Sequence, residues 1–179
     1  AIALVVGLSF LYTVAYVNIY STDHPATRMA AWIQENVPKG SVVAQEHWDE
    51  PLRGLPETGY LVPNLPLYEV DSAFKARQIA EILERADYVA IYSQRLYVSI
   101  YRLEERYPLT RLYYEMLFNG ELGFDAVHIE ASYPNFLGVS LVNNSTTSIG
   151  LDAPDAITRP VTTPLSIDMG FVQESFIAY

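Results

Sequence analysis

The first twenty residues constrain this chain more than any other segment, because they contain no charged side chain. A helix of about 20 apolar residues is long enough to cross the hydrocarbon core of a bilayer, which is about 30 Å thick. Tyr12, Tyr16 and Tyr20 lie toward the far end of the segment, and tyrosine favours the headgroup level of a membrane. The sequence therefore predicts a transmembrane helix over residues 1–20, with the lipid bilayer as its partner.

Two other interpretations of this segment stay open. A signal peptide would have a basic region at its start and a cleavage site with small residues, and the segment has neither. A core helix of a soluble domain would usually show a polar face at this length. No cluster of Lys or Arg flanks the segment, and the first basic residue is Arg28. By the positive-inside rule, nothing favours a cytoplasmic location for the residues that follow the segment. We therefore expect a membrane protein whose globular part is extracytoplasmic.

The composition excludes several classes of function. The formal net charge is −10, which argues against nucleic acid as a partner, because Lys and Arg supply much of the affinity for phosphates. The chain has no cysteine, so disulfides, thiolate metal sites and cysteine nucleophiles are excluded. It begins with Ala1 and ends within a strand-like run. We therefore expect a piece of a longer protein.

Residues 21–179 alternate between helical and strand patterns, which is typical of an α/β fold with a mostly parallel sheet in two or three layers. Ser72 is the expected N-cap of the second helix, and its apolar stripe contains Phe74, Ile79, Ile82 and Leu83. The first helix is expected to begin at Pro25 with Thr22 or Asp23 as its cap, and a third to end at Asn119 and Gly120. The expected strands are 41–46, 87–93, 124–132, 136–142 and 171–179.

Residues 143–168 interrupt this alternation. The segment is rich in Ser, Thr, Pro and Asp and shows no helical periodicity. Such a composition is typical of a loop. We predict an exposed insertion at about 143–168 within an extracytoplasmic α/β domain that covers residues 21–179.

The most conspicuous polar cluster is EHWDE, residues 46–50, directly after the first strand. Ligands of open α/β sheets bind beyond the carboxyl ends of the strands. Glu46, His47 and Asp49 are therefore candidates for a ligand site. His47, Asp49 and Glu50 are the residues that could bind a divalent metal or transfer protons. The alternative is a solvated turn in which Trp48 covers the core.

We favour the solvated turn, because successive residues of an extended chain point to opposite faces. His47 and Asp49 are then expected on one side and Trp48 on the other, buried. Glu46 is expected to pair with an arginine, for instance Arg95. We predict no metal site, no cofactor and no catalytic residue in this chain.

A second candidate surface lies between Arg95 and Phe124, where tyrosines alternate with arginines. One interpretation is an aromatic core with a polar rim, in which arginines stack on tyrosine rings. The sharper alternative is a groove for a ligand or a lipid headgroup. Its residues would be Arg95, Tyr97, Tyr101 and Arg102. His128 lies within a predicted strand, and we expect a surface or half-buried residue there rather than a ligand.

Three segments carry a resemblance to a known family. They are AAWIQENVPKGSVVAQEHWDEPL, ADYVAIYSQRLYVSIYRLEERYPLTRLYYEMLFNGELGF and the closing ESFIAY. Together they resemble the C-terminal extracytoplasmic region of family-39-like multi-span membrane glycosyltransferases, which are protein mannosyltransferase-like GT-C enzymes that use lipid-linked sugars. The resemblance covers most of residues 25–124 and the final strand, but not the stretch 143–168.

The resemblance implies a membrane-attached domain that is accessory to catalysis, because the family's catalytic acid would lie far upstream. It also implies that the rest of the parent membrane protein, and a lipid-linked sugar, are partners. The alternative is a non-enzymatic, single-span accessory subunit packed on a larger membrane complex. Several hydrophobic spans upstream of Ala1 would favour the glycosyltransferase, whereas a start codon and a short basic leader would favour the subunit.

Overall fold

The computed structural model describes residues 1–46, 52, 54–142, 150–151, 165–168 and 174–178, with the backbone alone at 92–95, 165–168 and 174–178. It confirms the predicted fold class, a long apolar N-terminal helix followed by a mixed α/β region. The helices are α1 (Ile2–Val17), α2 (Pro25–Asn36), α3 (Ala73–Leu83), α4 (Gln94–Tyr101) and α5 (Pro108–Phe118). The strands are β1 (Val43–Glu46), β2 (Asn64–Leu65), β3 (Tyr88–Ser93), β4 (His128–Ala131), β5 (Asn135–Phe136), β6 (Val139–Val142), β7 (Leu165–Asp168) and β8 (Glu174–Ala178).

Helix α1 continues into a 3₁₀ helix at Asn18–Ser21, and the two together have a length of about 32 Å. Among the described residues, one helical stretch, which begins at Ile2, is long and apolar enough to cross a membrane. The most apolar 18 residues of this stretch have a mean hydropathy of 2.0, and only 6% of them are buried. A core helix would be mostly buried, so that interpretation is wrong. An anchor and a signal sequence both fit this exposure.

The larger sheet has the strand order β2-β1-β3-β8-β4. Strand β1 pairs in parallel with β2 and β3, whereas β8 pairs antiparallel with both β3 and β4. All strands of this sheet except β8 therefore run in the same direction. A smaller sheet has the order β5-β6-β7, with β5 antiparallel and β7 parallel to β6.

Helices cover both faces of the larger sheet. Side chains at neighbouring positions of a strand point to opposite faces, so each strand contributes to two buried clusters. Val43 of β1 and Ala90 of β3 pack in one buried cluster with Met29 and Ile33 of α2. The opposite face packs in a second cluster, which contains buried side chains from α3, α4 and α5: Ile79, Leu96, Tyr97, Val98, Ile100, Tyr101, Tyr113, Tyr114, Leu117 and Phe118. The domain therefore has three layers.

Two details of the predicted helices are wrong. His24 is the N-cap of α2, in place of Thr22 or Asp23, and its Nδ1 accepts a hydrogen bond from the Ala26 amide at 3.2 Å. In α3 the predicted inner residue Phe74 is 63% exposed, whereas Lys75 is buried beside Ile79. An apolar stripe predicts burial of Phe74, but the ammonium of Lys75 reaches buried oxygen atoms that fix the helix in a different rotation. The Ser72 cap is confirmed.

Three further differences concern irregular segments. Helix α4 was not predicted, because its apolar and polar residues are mixed with tyrosines. The predicted strand 136–142 is broken by a tight turn at Leu137 and Gly138, both of which have positive φ. Within the predicted insertion, Leu151 is buried in the core and the backbone of Leu165–Asp168 forms β7, which pairs in parallel with β6. A local pattern does not show such long-range contacts. Gly150 is exposed, and the remaining residues of that segment lie outside the described part of the chain.

Candidate functional site

The connections that follow β1 and β3 cover opposite faces of the larger sheet. The segment after β1 contains Leu52, Leu55 and Tyr60, which pack in the cluster on the α2 face. The connections on either side of β3 contain α3, α4 and α5, which pack on the other face. The chain therefore leaves the neighbouring strands β1 and β3 toward opposite faces. Such a topological switch point is where open α/β sheets bind ligands.

Glu46 is the last residue of β1 and lies at this switch point with 1% of its surface exposed. Its Oε1 accepts a hydrogen bond from the hydroxyl of Tyr114 in α5. Burial and the adjacent Glu46 carboxylate raise the pKa of Tyr114 well above its ordinary value. Tyr114 therefore stays protonated and donates to the carboxylate. This contact joins the end of the central strand to α5.

The rings beside this contact form an aromatic cluster. The centre of the Tyr114 ring lies 5.9 Å from that of Tyr97 and 5.1 Å from that of Tyr113, and the Tyr97 ring meets Phe118 edge-on at 5.3 Å. Tyr97 and Tyr114 are fully buried. The burial agrees with the interpretation of this stretch as an aromatic core. Such geometry contributes about 0.5–1.5 kcal/mol per aromatic pair beyond the burial itself.

A polar rim closes the cluster at Tyr101. Its hydroxyl donates to Oε1 of Glu115 at 2.8 Å, and Nε of Arg111 donates to the same oxygen at 3.1 Å. The Arg111 guanidinium lies 4.4 Å from the centre of the Tyr101 ring. Burial, followed by the Glu115 carboxylate, raises the pKa of Tyr101. The arginine that contacts Tyr101 in this way is Arg111, and Arg102 is exposed.

The structure brings only some of the predicted site residues together. Glu46 and Tyr97 both lie beside Tyr114, and Tyr101 lies at the rim of the same cluster. His47 and Asp49, with Trp48, lie outside the described residues, so the predicted alternation of EHWDE stays a prediction. Arg95 is described by its backbone alone, in the first turn of α4. Its pairing with Glu46 is therefore untested.

Sequence reasoning missed a second polar cluster, between α2 and β4. The rings of Trp32 and His128 are stacked with centres 4.3 Å apart and planes at 1°. His128 Nε2 lies 2.9 Å from Oε1 of Glu130, and Nε of Arg28 donates to Oε2 of the same carboxylate at 2.6 Å. Arg28 also donates to the carbonyl of Ala131 at 2.9 Å. The i,i+4 spacing on α2 and the i,i+2 spacing on β4 were the available signals.

This second cluster fixes the direction of α2. Arg28, in the first turn of α2, contacts the end of β4, whereas Trp32, one turn later, contacts its beginning at His128. Helix α2 therefore runs antiparallel to β4 and hence to the parallel strands β1 and β3. The start of α2, which follows α1 and its 3₁₀ turn, lies at the carboxyl edge of the larger sheet. The apolar helix thus joins the domain at the edge that contains the switch point.

Comparisons with protein-family models, with curated proteins and with solved structures found no match for this chain. Among the described residues, no group of three or more His, Asp or Glu side chains is arranged to hold a metal ion. The features that bear on function are therefore an exposed apolar helix, a switch point on the side of that helix, and an acidic composition.

The Tyr114 contact predicts an alkaline weakening of the fold. An unfolded tyrosine loses its proton at a pH of about 10, whereas the raised pKa of buried Tyr114 keeps it protonated. Its contribution to stability is therefore complete below pH ~10 and is lost as the pH rises toward its folded pKa, by about 1.4 kcal/mol per pH unit. Tyr114→Phe is expected to reduce the alkaline slope by this contribution above pH ~10.

The measurement is urea unfolding of the whole chain in detergent micelles, followed by near-ultraviolet circular dichroism at several pH values. At neutral pH, Tyr114→Phe is also expected to lower the free energy of unfolding by about 1.5–3 kcal/mol, because the buried Glu46 carboxylate loses a donor. Tyr68→Phe, at a ring that is 42% exposed, controls for removal of a surface hydroxyl. An alkaline slope that is the same with and without the Tyr114 hydroxyl would contradict the assignment.

Proposed function

We propose that this chain is the membrane-attached, extracytoplasmic C-terminal domain of a glycosyltransferase that uses a lipid-linked sugar, and that it is accessory to catalysis elsewhere in the parent protein. The observation that carries the proposal is the position of α1. This exposed, charge-free helix joins the α/β domain at the carboxyl edge of the sheet. An anchor placed there holds the switch point beside the membrane surface, where the polar head of a lipid-linked sugar lies.

The buried side chains at the switch point support an accessory rather than a catalytic role. A general acid or base must reach the proton that it transfers, directly or through one water molecule. The Glu46 carboxylate is 1% exposed and accepts a hydrogen bond from Tyr114 inside the core. Tyr114, with its raised pKa, does not act as a base near neutral pH. These groups organise the edge of the sheet and leave its surface for recognition.

A second candidate is a non-enzymatic, single-span subunit packed on a larger membrane complex. The rings of Tyr12, Tyr16 and Tyr20 follow one another along α1, with neighbouring ring centres 6.2 and 6.5 Å apart. Such an aromatic ridge fits the surface of another helix as well as it fits a headgroup layer. The coding sequence upstream of Ala1 discriminates the candidates: several further hydrophobic spans favour the enzyme, and a start codon with a short basic leader favours the subunit.

The accessory role predicts that charge-removing variants of Glu46, and of His47 and Asp49 that follow it in sequence, spare the chemistry. In the intact parent, Glu46→Gln and the double variant His47→Ala/Asp49→Ala are each expected to keep transferase activity within about tenfold of the unaltered enzyme, because loss of a general acid or base typically costs about 10²–10⁴-fold. Activity is measured with membrane-embedded parent and a lipid-linked sugar donor. Glu46→Gln removes the charge but keeps an oxygen that accepts the Tyr114 hydrogen bond, so a change in activity would not be due to loss of that contact. A loss of a hundredfold or more would place a catalytic group here and overturn the accessory role.

A further inference from the structure

The turn between β5 and β6 combines an unfavourable backbone with an unfavourable surface. Phe136 pairs with Val139, so Leu137 and Gly138 form a two-residue turn, with φ of 50° and 82°. Turns with positive φ at both positions favour Asn or Asp followed by Gly, and leucine is disfavoured in the left-handed region. The Leu137 side chain is nevertheless 87% exposed. In water, this leucine neither suits the turn nor packs against the protein.

The same turn lies beside the end of the apolar helix. The side-chain amide of Asn18 donates to the carbonyl of Asn135 in β5 at 3.2 Å. An open groove of about 570 Å³ separates the two elements, with Val14 and Val17 of α1 on one side and Leu137 on the other. The hairpin thus lies beside the last turn of α1.

This position determines the depth of the hairpin once α1 spans a bilayer. Val14 and Val17 then lie at the boundary of the hydrocarbon region, and Tyr20 lies at the headgroup level. We propose that the β5–β6 turn is a second membrane contact, in which Leu137 enters the same leaflet beside α1 and packs against lipid acyl chains. The inference rests on the proposed membrane attachment and adds a docking surface to it.

Charge and chemistry favour the bilayer as the occupant of this surface. An exposed leucine beside tyrosines and an apolar helix end has the composition of a membrane-interface contact. The net charge of the chain is −10, so attraction to anionic headgroups does not contribute. The contact is therefore expected on zwitterionic lipid. It would orient the domain relative to the membrane. A single helix allows the domain to rotate about the helix axis, whereas a helix and a hairpin tip together prevent that rotation.

The absence of cysteine from the chain makes the depth of single positions measurable. A polarity-sensitive fluorophore is attached at Leu137→Cys in the full chain, reconstituted in phosphatidylcholine vesicles that contain acyl-chain spin-labelled quenchers. Phe10→Cys, within α1 and 66% exposed, is the reference for a transmembrane position. Leu61→Cys is the matched control, because this leucine is also exposed, at 62%, but it bridges to Val42 at the amino edge of the sheet.

The expected result is quenching at Leu137 and Phe10 and none at Leu61. Quenching at Phe10 alone would overturn the second contact while leaving the anchor intact, and would leave the tip to a protein partner. Quenching at none of the positions would overturn the anchor and the second contact together. Quenching at all three, including Leu61, would mean non-specific adsorption of the domain and would also overturn the inference.

A second measurement separates the leucine from the fluorophore at the tip. With the probe moved to Phe136→Cys, the additional substitution Leu137→Asp is expected to reduce quenching to the level of the Leu61 control. Leu137→Met, which keeps an apolar tip, is expected to preserve the quenching. Equal quenching with aspartate and with methionine would show that the side chain at 137 does not hold the hairpin in the membrane.

Discussion

Replacing Lys75 with methionine is expected to lower the free energy of unfolding by about 3–5 kcal/mol, which is the typical cost of removing one partner from a buried ion pair. The side chain of Lys75 is 2% exposed. Its Nζ lies 2.5 Å from Asp71 Oδ1 and 2.5 Å from the hydroxyl oxygen of Thr110. It also donates to the carbonyls of Leu67 and Glu69, at 3.0 and 2.8 Å.

The effect is large because this ammonium joins three separate parts of the chain. Lys75 belongs to α3, its carbonyl partners belong to the loop after β2, and Thr110 belongs to α5. The other carboxylate oxygen of Asp71 accepts from the Leu109 amide at 2.6 Å, in the first turn of α5. Methionine has a similar length and fills the space, but leaves these oxygens without the ammonium in a buried place.

Urea unfolding of the whole chain in micelles measures this prediction, with Lys39→Met as the matched control. Lys39 is exposed, with its ammonium 4.7 Å from the Tyr60 ring centre, and an exposed cation–π contact contributes about 0.5–1 kcal/mol. Adding Asp71→Asn to Lys75→Met is expected to recover part of the loss, because it removes the carboxylate charge left unpaired. Equal losses at Lys75 and Lys39 would refute the assignment of Lys75 as a buried tie.

Placing an arginine at Phe10 is expected to prevent membrane insertion of α1. A charged residue at the centre of a transmembrane helix costs about 2.5–3.5 kcal/mol on the insertion scale, which shifts the insertion equilibrium by about a hundredfold. Phe10 lies near the middle of the charge-free segment and is 66% exposed, and the segment has no charged residue of its own to oppose the change. Phe10→Leu, which keeps an apolar side chain, is the control.

The chain contains its own reporter for this experiment. Asn143-Asn144-Ser145-Thr146 includes two overlapping acceptor patterns for N-glycosylation. Translated with microsomes, the unaltered chain is expected to be glycosylated and to resist alkaline carbonate extraction, since an anchored domain stays with the membrane. Phe10→Arg should lose both properties. Glycosylation followed by release into the carbonate supernatant would identify α1 as a cleaved signal sequence and would reject the anchor.

Local sequence patterns were sufficient for several elements of the fold. Ser72 caps α3 as predicted, and Asn119 with Gly120 ends α5, because caps depend on hydrogen bonds and backbone angles within one turn of the chain. The same patterns failed at Phe74 and Lys75, since an apolar stripe reports an average tendency to be buried. Four oxygen atoms, three of them within eight residues along the chain and one on Thr110 of α5, reversed that tendency for Lys75.

The candidate site was predictable only in part. Placing Glu46 at the end of the first strand followed from the strand pattern. Its contact with Tyr114, 68 residues away, did not. The stacking of Trp32 on His128 likewise joins α2 to β4, which are distant in the chain. Such pairs depend on the order of strands in the sheet and on the face that each helix covers, and neither quantity is encoded in local periodicity.

The sequence by itself determined that the chain begins with an apolar helix able to span a membrane and continues as an α/β fold, because hydropathy and hydrophobic periodicity are summed residue by residue along the chain. The tertiary structure alone decided which edge of the sheet adjoins that helix. Arg28 and Trp32 set the direction of α2 by contacts with β4, and Asn18 holds the β5–β6 hairpin beside α1. These contacts join residues about a hundred positions apart, so they form only when the whole sheet has been assembled.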